Sequence, residues 1–121
     1  MAGVRRVELA IQRAVVQWAL RLAYPGLLVT VTSNESHYKD TQQIGQLGIQ
    51  DVLVFIPRGD VLAVLFLELK TKQGSLSDAQ IQWNEEFDRR YGHLANVRRG
   101  VAYGFTDAKR MISQFLTQEH P

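Results

Sequence analysis

The stretch from residue 51 to residue 70 constrains this chain more than any other. Asp51–Pro57 and Val61–Lys70 are runs of β-branched and apolar residues, and Arg58-Gly59-Asp60 between them is a turn cluster of the kind that closes hairpins. An antiparallel pair of strands is the simplest arrangement. Side chains alternate along a strand, so Glu68 and Lys70 share one face about 6 to 7 Å apart, with Leu67 and Leu69 on the other. A short turn that sets Arg58 opposite Val61 also sets Asp51 opposite Glu68. Neighbours across strands on one face have Cβ atoms about 4.5 to 5.5 Å apart.

Two carboxylates at that separation repel unless a cation lies between them, and with no arginine in the immediate strand a divalent metal is the natural choice. Mg²⁺ suits the pattern, because it is a hard ion that a few carboxylates hold while water and a substrate phosphate fill the remaining positions. Lys70 beside it can stabilise developing negative charge or orient the attacking water. These are the parts that phosphodiester hydrolysis needs. The bland alternative is a solvated strand edge, with Asp51 merely starting a strand.

Other segments supply a frame for this hairpin. Val4, Ile11, Val15, Trp18 and Leu22 recur at helical spacing, and Pro25-Gly26 stops that helix. Leu27–Thr32 reads as a strand, and the polar stretch Ser33–Gly48 as a long loop. Ser77 opens a second helix running to about Tyr91, Val97–Phe105 is a last strand, and Thr106 caps a final helix through about Leu116. The order α-β-β-β-α-β-α predicts an α/β fold, a mixed sheet flanked by helices. A crossover through the second helix makes Val61–Lys70 and Val97–Phe105 parallel neighbours.

Composition narrows the chemistry. The 121 residues fit one domain, residues 1–121, with an apolar fraction of 45% and a charged fraction of 21% typical of a globular protein. With no cysteine, disulfides, thiolate zinc sites and cysteine nucleophiles are excluded. The apolar runs fall far short of the roughly 20 residues that cross a bilayer, so a cytoplasmic location is the default expectation. A net charge of +2 is compatible with a polyanionic partner without requiring one.

Further candidates follow from position. Glu8 falls within the apolar stripe of the first helix, where a carboxylate wants a partner; as a plain alternative it complements the helix dipole. Ser77-x-x-Gln80 matches a capping box, which by itself accounts for Gln80. His37, His93 and His120 show no ligand spacing, and Trp18 and Trp83 sit where core packing places them. Asn34, Lys39, Lys72, Arg98 and Arg99 are candidates for contact with nucleic acid.

Gly48-Ile49-Gln50-Asp51, then Glu68-Leu69-Lys70-Thr71-Lys72, then Gly74-Ser75-Leu76-Ser77-x-x-Gln80-x-x-Trp83 resemble the VRR-Nuc family of the PD-(D/E)xK nuclease superfamily. The likeness runs from the Glu8 helix to the final helix. It implies a restriction-endonuclease-like core that cleaves DNA with Mg²⁺ or Mn²⁺. Asp51, Glu68, Glu8 and the main-chain carbonyl of Leu69 would be metal ligands, Lys70 the catalytic lysine and Gln80 an active-site helix residue. Short stand-alone members, from bacteria and their phages, are similar to Holliday-junction resolvases that act as homodimers. Gln50 stands where the superfamily often has proline, a departure that bears on substrate preference more than on activity.

The expectation is therefore a metal-dependent, structure-selective DNA endonuclease. Its competitors are a flap or general DNA nuclease, a catalytically silent nucleic-acid-binding module on the same fold, and a structural protein whose charges form a buried ion-pair network.

Overall fold

The structure, a computed structural model, describes residues 2–32 and 51–118. Helix α1 (Ala2–Arg21) is followed by β1 (Leu28–Val31), β2 (Val52–Arg58), β3 (Val61–Lys70), α2 (Asp78–Tyr91), β4 (Val97–Tyr103) and α3 (Phe105–Thr117). The order is the expected one. The four strands form one sheet in the order β1-β2-β3-β4, antiparallel except for the parallel β3–β4 pair.

The β2–β3 hairpin has the register that the short turn implies. Arg58 pairs with Val61 and the ladder runs up to Val52 opposite Leu67. The two residues of the turn are Gly59 and Asp60, and Gly59 has φ +66°. Glycine at the first central position with positive φ is the backbone preference of a tight turn whose twist matches that of the strands. A one-residue slip would turn every side chain of β2 to the opposite face, so this turn decides which way Asp51 points.

The two faces of the sheet are covered differently. Val52, Val54 and Ile56 of β2, and Ala63, Leu65, Leu67 and Leu69 of β3, point to one face. There they form the core with Val15 of α1 and Ala108, Ile112, Phe115 and Leu116 of α3. Full burial of each large aliphatic side chain contributes about 1.5 to 3 kcal/mol, so this side holds most of the apolar stabilisation. Gly100 of β4 leaves room for the Met111 methyl of α3, which a Cβ there would displace. On the opposite face α2 is held through aromatic rings. Phe66 of β3 meets Trp83 at 5.9 Å and Phe87 at 5.1 Å between centroids.

Two expectations need correction. Leu22 lies outside α1 and is 39% exposed, while Ala19, absent from the predicted stripe, is fully buried. The helix ends at Arg21, and the small Ala19 side chain is what the close packing accepts. Helix α3 begins at Phe105, not after Thr106, with Gly104 as N-cap at φ +98° and no side-chain cap. A glycine adopts that backbone without a Cβ penalty, and Asp107 accepts a hydrogen bond from Tyr103 N at 2.9 Å across the same turn. Among the described residues no helix is long and apolar enough to cross a membrane.

A clean test of the hairpin is Gly59→Ala. Nothing lies within 4 Å of the added Cβ, so the cost is purely conformational. Urea unfolding is expected to show a loss of about 1 to 2 kcal/mol. An unchanged midpoint would contradict the turn geometry.

Candidate active site

Asp51, immediately before β2, is fixed by its own backbone. Its N–H donates to Leu67 O at 3.0 Å, and its carbonyl accepts from Thr32 N and from Gln12 Nε2, each at 3.0 Å. Its side chain adds a fourth bond, with Oδ2 accepting from Leu69 N at 2.8 Å. A carboxylate that takes over the strand's next amide cannot rotate away without orphaning a buried donor. The N–H and C=O of one strand residue face the same neighbouring strand, so the Leu69 carbonyl is also directed to the Asp51 side and not into the β4 ladder.

Glu68 stands on the α2 face of β3 and is only 2% exposed. Gln80 Nε2 donates to its Oε2 at 2.7 Å, while Oε1 is buried with no hydrogen-bond partner among the described residues. Burial is the main force against its ionisation, and the neighbouring Asp51 carboxylate is the next; Glu8 adds to them. Lys70 opposes, but the net effect pushes the Glu68 carboxyl up to about 9. The chain has therefore placed an acid where, without a further cation, it resists being charged.

Lys70 follows on the same face, 8% exposed, and its Nζ lies 4.0 Å from Glu8 Oε2. Helix α1 packs on the opposite face of the sheet, yet its first turns bring Glu8, half-buried, to the end of β3. Asp51, Glu68, Lys70, Glu8, Gln80 and the Leu69 backbone thus meet at one end of the central strand pair. Among the described residues, no three acidic or histidine side chains converge tightly enough to cage an ion alone.

Gln80 makes the capping-box contacts and also touches Glu68. Its Oε1 accepts from Ser77 N at 2.8 Å and its backbone N donates to Ser77 Oγ at 3.1 Å, completing the capping box, while its Nε2 reaches Glu68. Lys72 is exposed just past β3, where its side chain runs beside Gly104. Arg98 and Arg99 do not join the site. Arg99 pairs bidentately with Asp88, and Arg98 donates to Gln118 Oε1, two and more rungs along β4 from the level of Glu68. Asn34, Lys39, His37 and Gln50 lie outside the described residues, as does His120, and His93 is exposed.

Sequence reading missed Gln12, whose bond to the Asp51 carbonyl spans 39 positions and leaves no local trace. It also missed Asn84, which is 5% exposed. That one had a signal: it lies one helical turn beyond Gln80 and so shares its face.

The Glu68 environment predicts a pH dependence. An acid whose folded pKa is about 9, against an ordinary 4.5, favours the native state most below pH 4.5, and that advantage disappears as pH rises through 9. Each unit corresponds to about 1.4 kcal/mol, so the total is on the order of several kcal/mol at a site this buried. In chelator, melting temperature is expected to fall between pH 5 and pH 9. Glu68→Gln is expected to flatten that fall and to melt higher than the parent at pH 8. A parent profile as flat as that of the variant would refute the crowded-acid geometry.

The comparison with curated proteins returned no match. Among solved structures, one described as "VRR_NUC domain" matches with a TM-score of 0.57 and 24% identity. The match covers 89% of this chain and 96% of that one, a likeness of fold. The family model for the VRR-NUC domain matches residues 7–106, a span that includes Glu8, Asp51, Glu68, Lys70 and Gln80. A nuclease-type fold, with its acids and lysine gathered at one end of the central hairpin, accompanies that match: the chain belongs to the VRR-NUC domain family.

Proposed function

We propose that this chain is a Mg²⁺- or Mn²⁺-dependent deoxyribonuclease that hydrolyses DNA phosphodiester bonds. The observation that carries the reading is Glu68 Oε1, an acid oxygen buried without a donor beside a second carboxylate. A cation relieves both the repulsion and the missing hydrogen bond. The donor set also fits the ion: Asp51, Glu68 and the Leu69 carbonyl are hard oxygen ligands. A two-carboxylate site leaves room for the waters and substrate phosphate that Mg²⁺ retains. Glu8 is the proposed third acid, reaching the ion's surroundings from α1 next to Lys70.

When bound, the ion would supply a Lewis acid for the phosphate and a water of lowered pKa. The protein's own residues do the rest. Asp51 is immobilised by four hydrogen bonds, so the ligand it presents is in place before substrate arrives. Lys70, on the face of Glu68 and 4.0 Å from Glu8 Oε2, can orient the attacking water and offset charge that develops on the phosphate oxygens. Gln80 holds Glu68 from the far side. Lys72, exposed beyond the strand, is the proposed contact to the DNA backbone, together with Asn34 and Lys39.

The reading extends to a four-way DNA junction cut by a homodimer. A symmetric junction needs two incisions, one chain supplies one site, and two-fold dimers are the commonest assembly. The family likeness supports it.

The test is incubation of labelled four-way junction, flap and linear duplex with the protein, in Mg²⁺, Mn²⁺ or EDTA. Metal-dependent cleavage is expected, with Lys70→Ala slower by about a hundredfold or more. Paired symmetric nicks in the junction alone support the resolvase; cleavage of flap or duplex points to a flap or general nuclease. No cleavage of any substrate, with binding retained, leaves the silent binding module.

A further inference from the structure

The Gln80 side chain is held at both ends. An amide oxygen and nitrogen are easily confused by shape, but here their chemistry separates them, because a backbone N–H can only donate. Ser77 N donates at 2.8 Å to one atom, which must be Oε1. The other atom is therefore Nε2, and it faces Glu68 Oε2 at 2.7 Å as a donor. It follows that Glu68 Oε2 is engaged as an acceptor, which leaves Oε1 as the oxygen open to a proton or a cation.

The helix that carries Gln80 is located independently. Trp83 and Phe87 pack on Phe66, which lies on the same strand face as Glu68, two residues before it. Two residues of strand span about 6 to 7 Å and three residues of helix about 4.5 Å, so one placement of α2 satisfies both contacts. Gln80 over Glu68 and Trp83 over Phe66 fix the helix at two points.

We propose that the N-terminal cap of α2 is a clamp on Glu68, in which Ser77 is a positioning residue that acts through Gln80 and reserves Glu68 Oε1 for the bound ion. The inference rests on the metal-dependent reading above for its consequence, though the clamp itself belongs to the metal-free chain. An ordinary capping box ends at the helix, satisfying two amides that would otherwise lack partners. This one continues into the site. Ser77 N–H orients the amide, and the amide orients the carboxylate. Residues that orient a metal-binding carboxylate through hydrogen bonds commonly change metal affinity by about 10- to 100-fold when replaced.

Ser77 offers an unusual dissection, since its φ of −73° already suits proline. Ser77→Ala removes only the hydroxyl, which holds the Gln80 backbone. Ser77→Pro removes the hydroxyl and also the N–H that holds Oε1. Gln80→Met removes the amide while retaining similar bulk. Mn²⁺ affinity is measured by calorimetry at a temperature where circular dichroism shows every variant folded. The expected order is a small loss for Ser77→Ala and a loss of about tenfold or more for Ser77→Pro and Gln80→Met. A helix cap of purely structural role lowers melting temperature in all three and leaves the Mn²⁺ affinity of the folded protein equal to the parent's, which would overturn the clamp.

A second readout needs no metal. In ¹⁵N spectra of the metal-free parent, the two Gln80 side-chain amide protons are expected to be resolved, shifted from free-amide positions and slow to exchange, and to collapse toward those positions in Ser77→Pro. Free-amide behaviour in the parent would refute the clamp whatever the metal does. A parent that binds no Mn²⁺ but shows the held amide would instead reject the metal-dependent reading and keep the clamp.

Discussion

Two acids that repel one another are forced together by a two-residue turn. The site depends on this constraint. The ladder from Arg58–Val61 to Val52–Leu67 carries the register of the hairpin seven rungs to Asp51, and the apolar side chains on the core face hold that register. When both are ionised, electrostatics alone would separate Asp51 from Glu68. Packing prevents it, because a one-residue slip that relieved the acids would turn Val52, Val54 and Ile56 of β2 out of the core. The hydrophobic core on one face of the sheet thus supports an unfavourable charge arrangement on the other.

That arrangement is buttressed unevenly. Asp51 is held by backbone bonds to β1 and β3 and by a side chain of α1. Glu68 is held by a helix that stands off on aromatic rings. Lys70 is steadied at its far end by Glu8. Asp51 and Lys70 therefore both depend on α1, and Glu68 on α2, so the site is assembled only when α1, the hairpin and α2 are all in place.

The sequence disclosed this site where local rules were sufficient. Turn chemistry and strand alternation are enough to place Asp51 against Glu68 and Lys70 beside it, because a two-residue turn admits one register. Alternation also separates Leu67 and Leu69 from the acids without any tertiary knowledge. Long-range contacts were not legible: Gln12 looks like any solvent-facing glutamine of α1 until the fold brings it to Asp51. For Gln80 the capping box was legible and the contact with Glu68 was not, because the local pattern accounts for only one end of the side chain. An amide has a donor end and an acceptor end, and the structure uses both. The start of α3 misled for a related reason. Thr106 has the composition of a cap, but the sharp turn out of β4 needs a positive φ, and Gly104 supplies it. The partners of Arg98 and Arg99, Gln118 and Asp88, were not legible because they are distant in sequence.

The hydrogen bond between Thr32 N and Asp51 O ties together the two ends of the connection from β1 to β2. Together with the bond from Asp51 N to Leu67 O, it pins the Asp51 main chain between the end of β1 and the middle of β3. The direction in which the Asp51 carboxyl leaves the sheet is therefore an outcome of main-chain pairing, set before any charge beside it is counted.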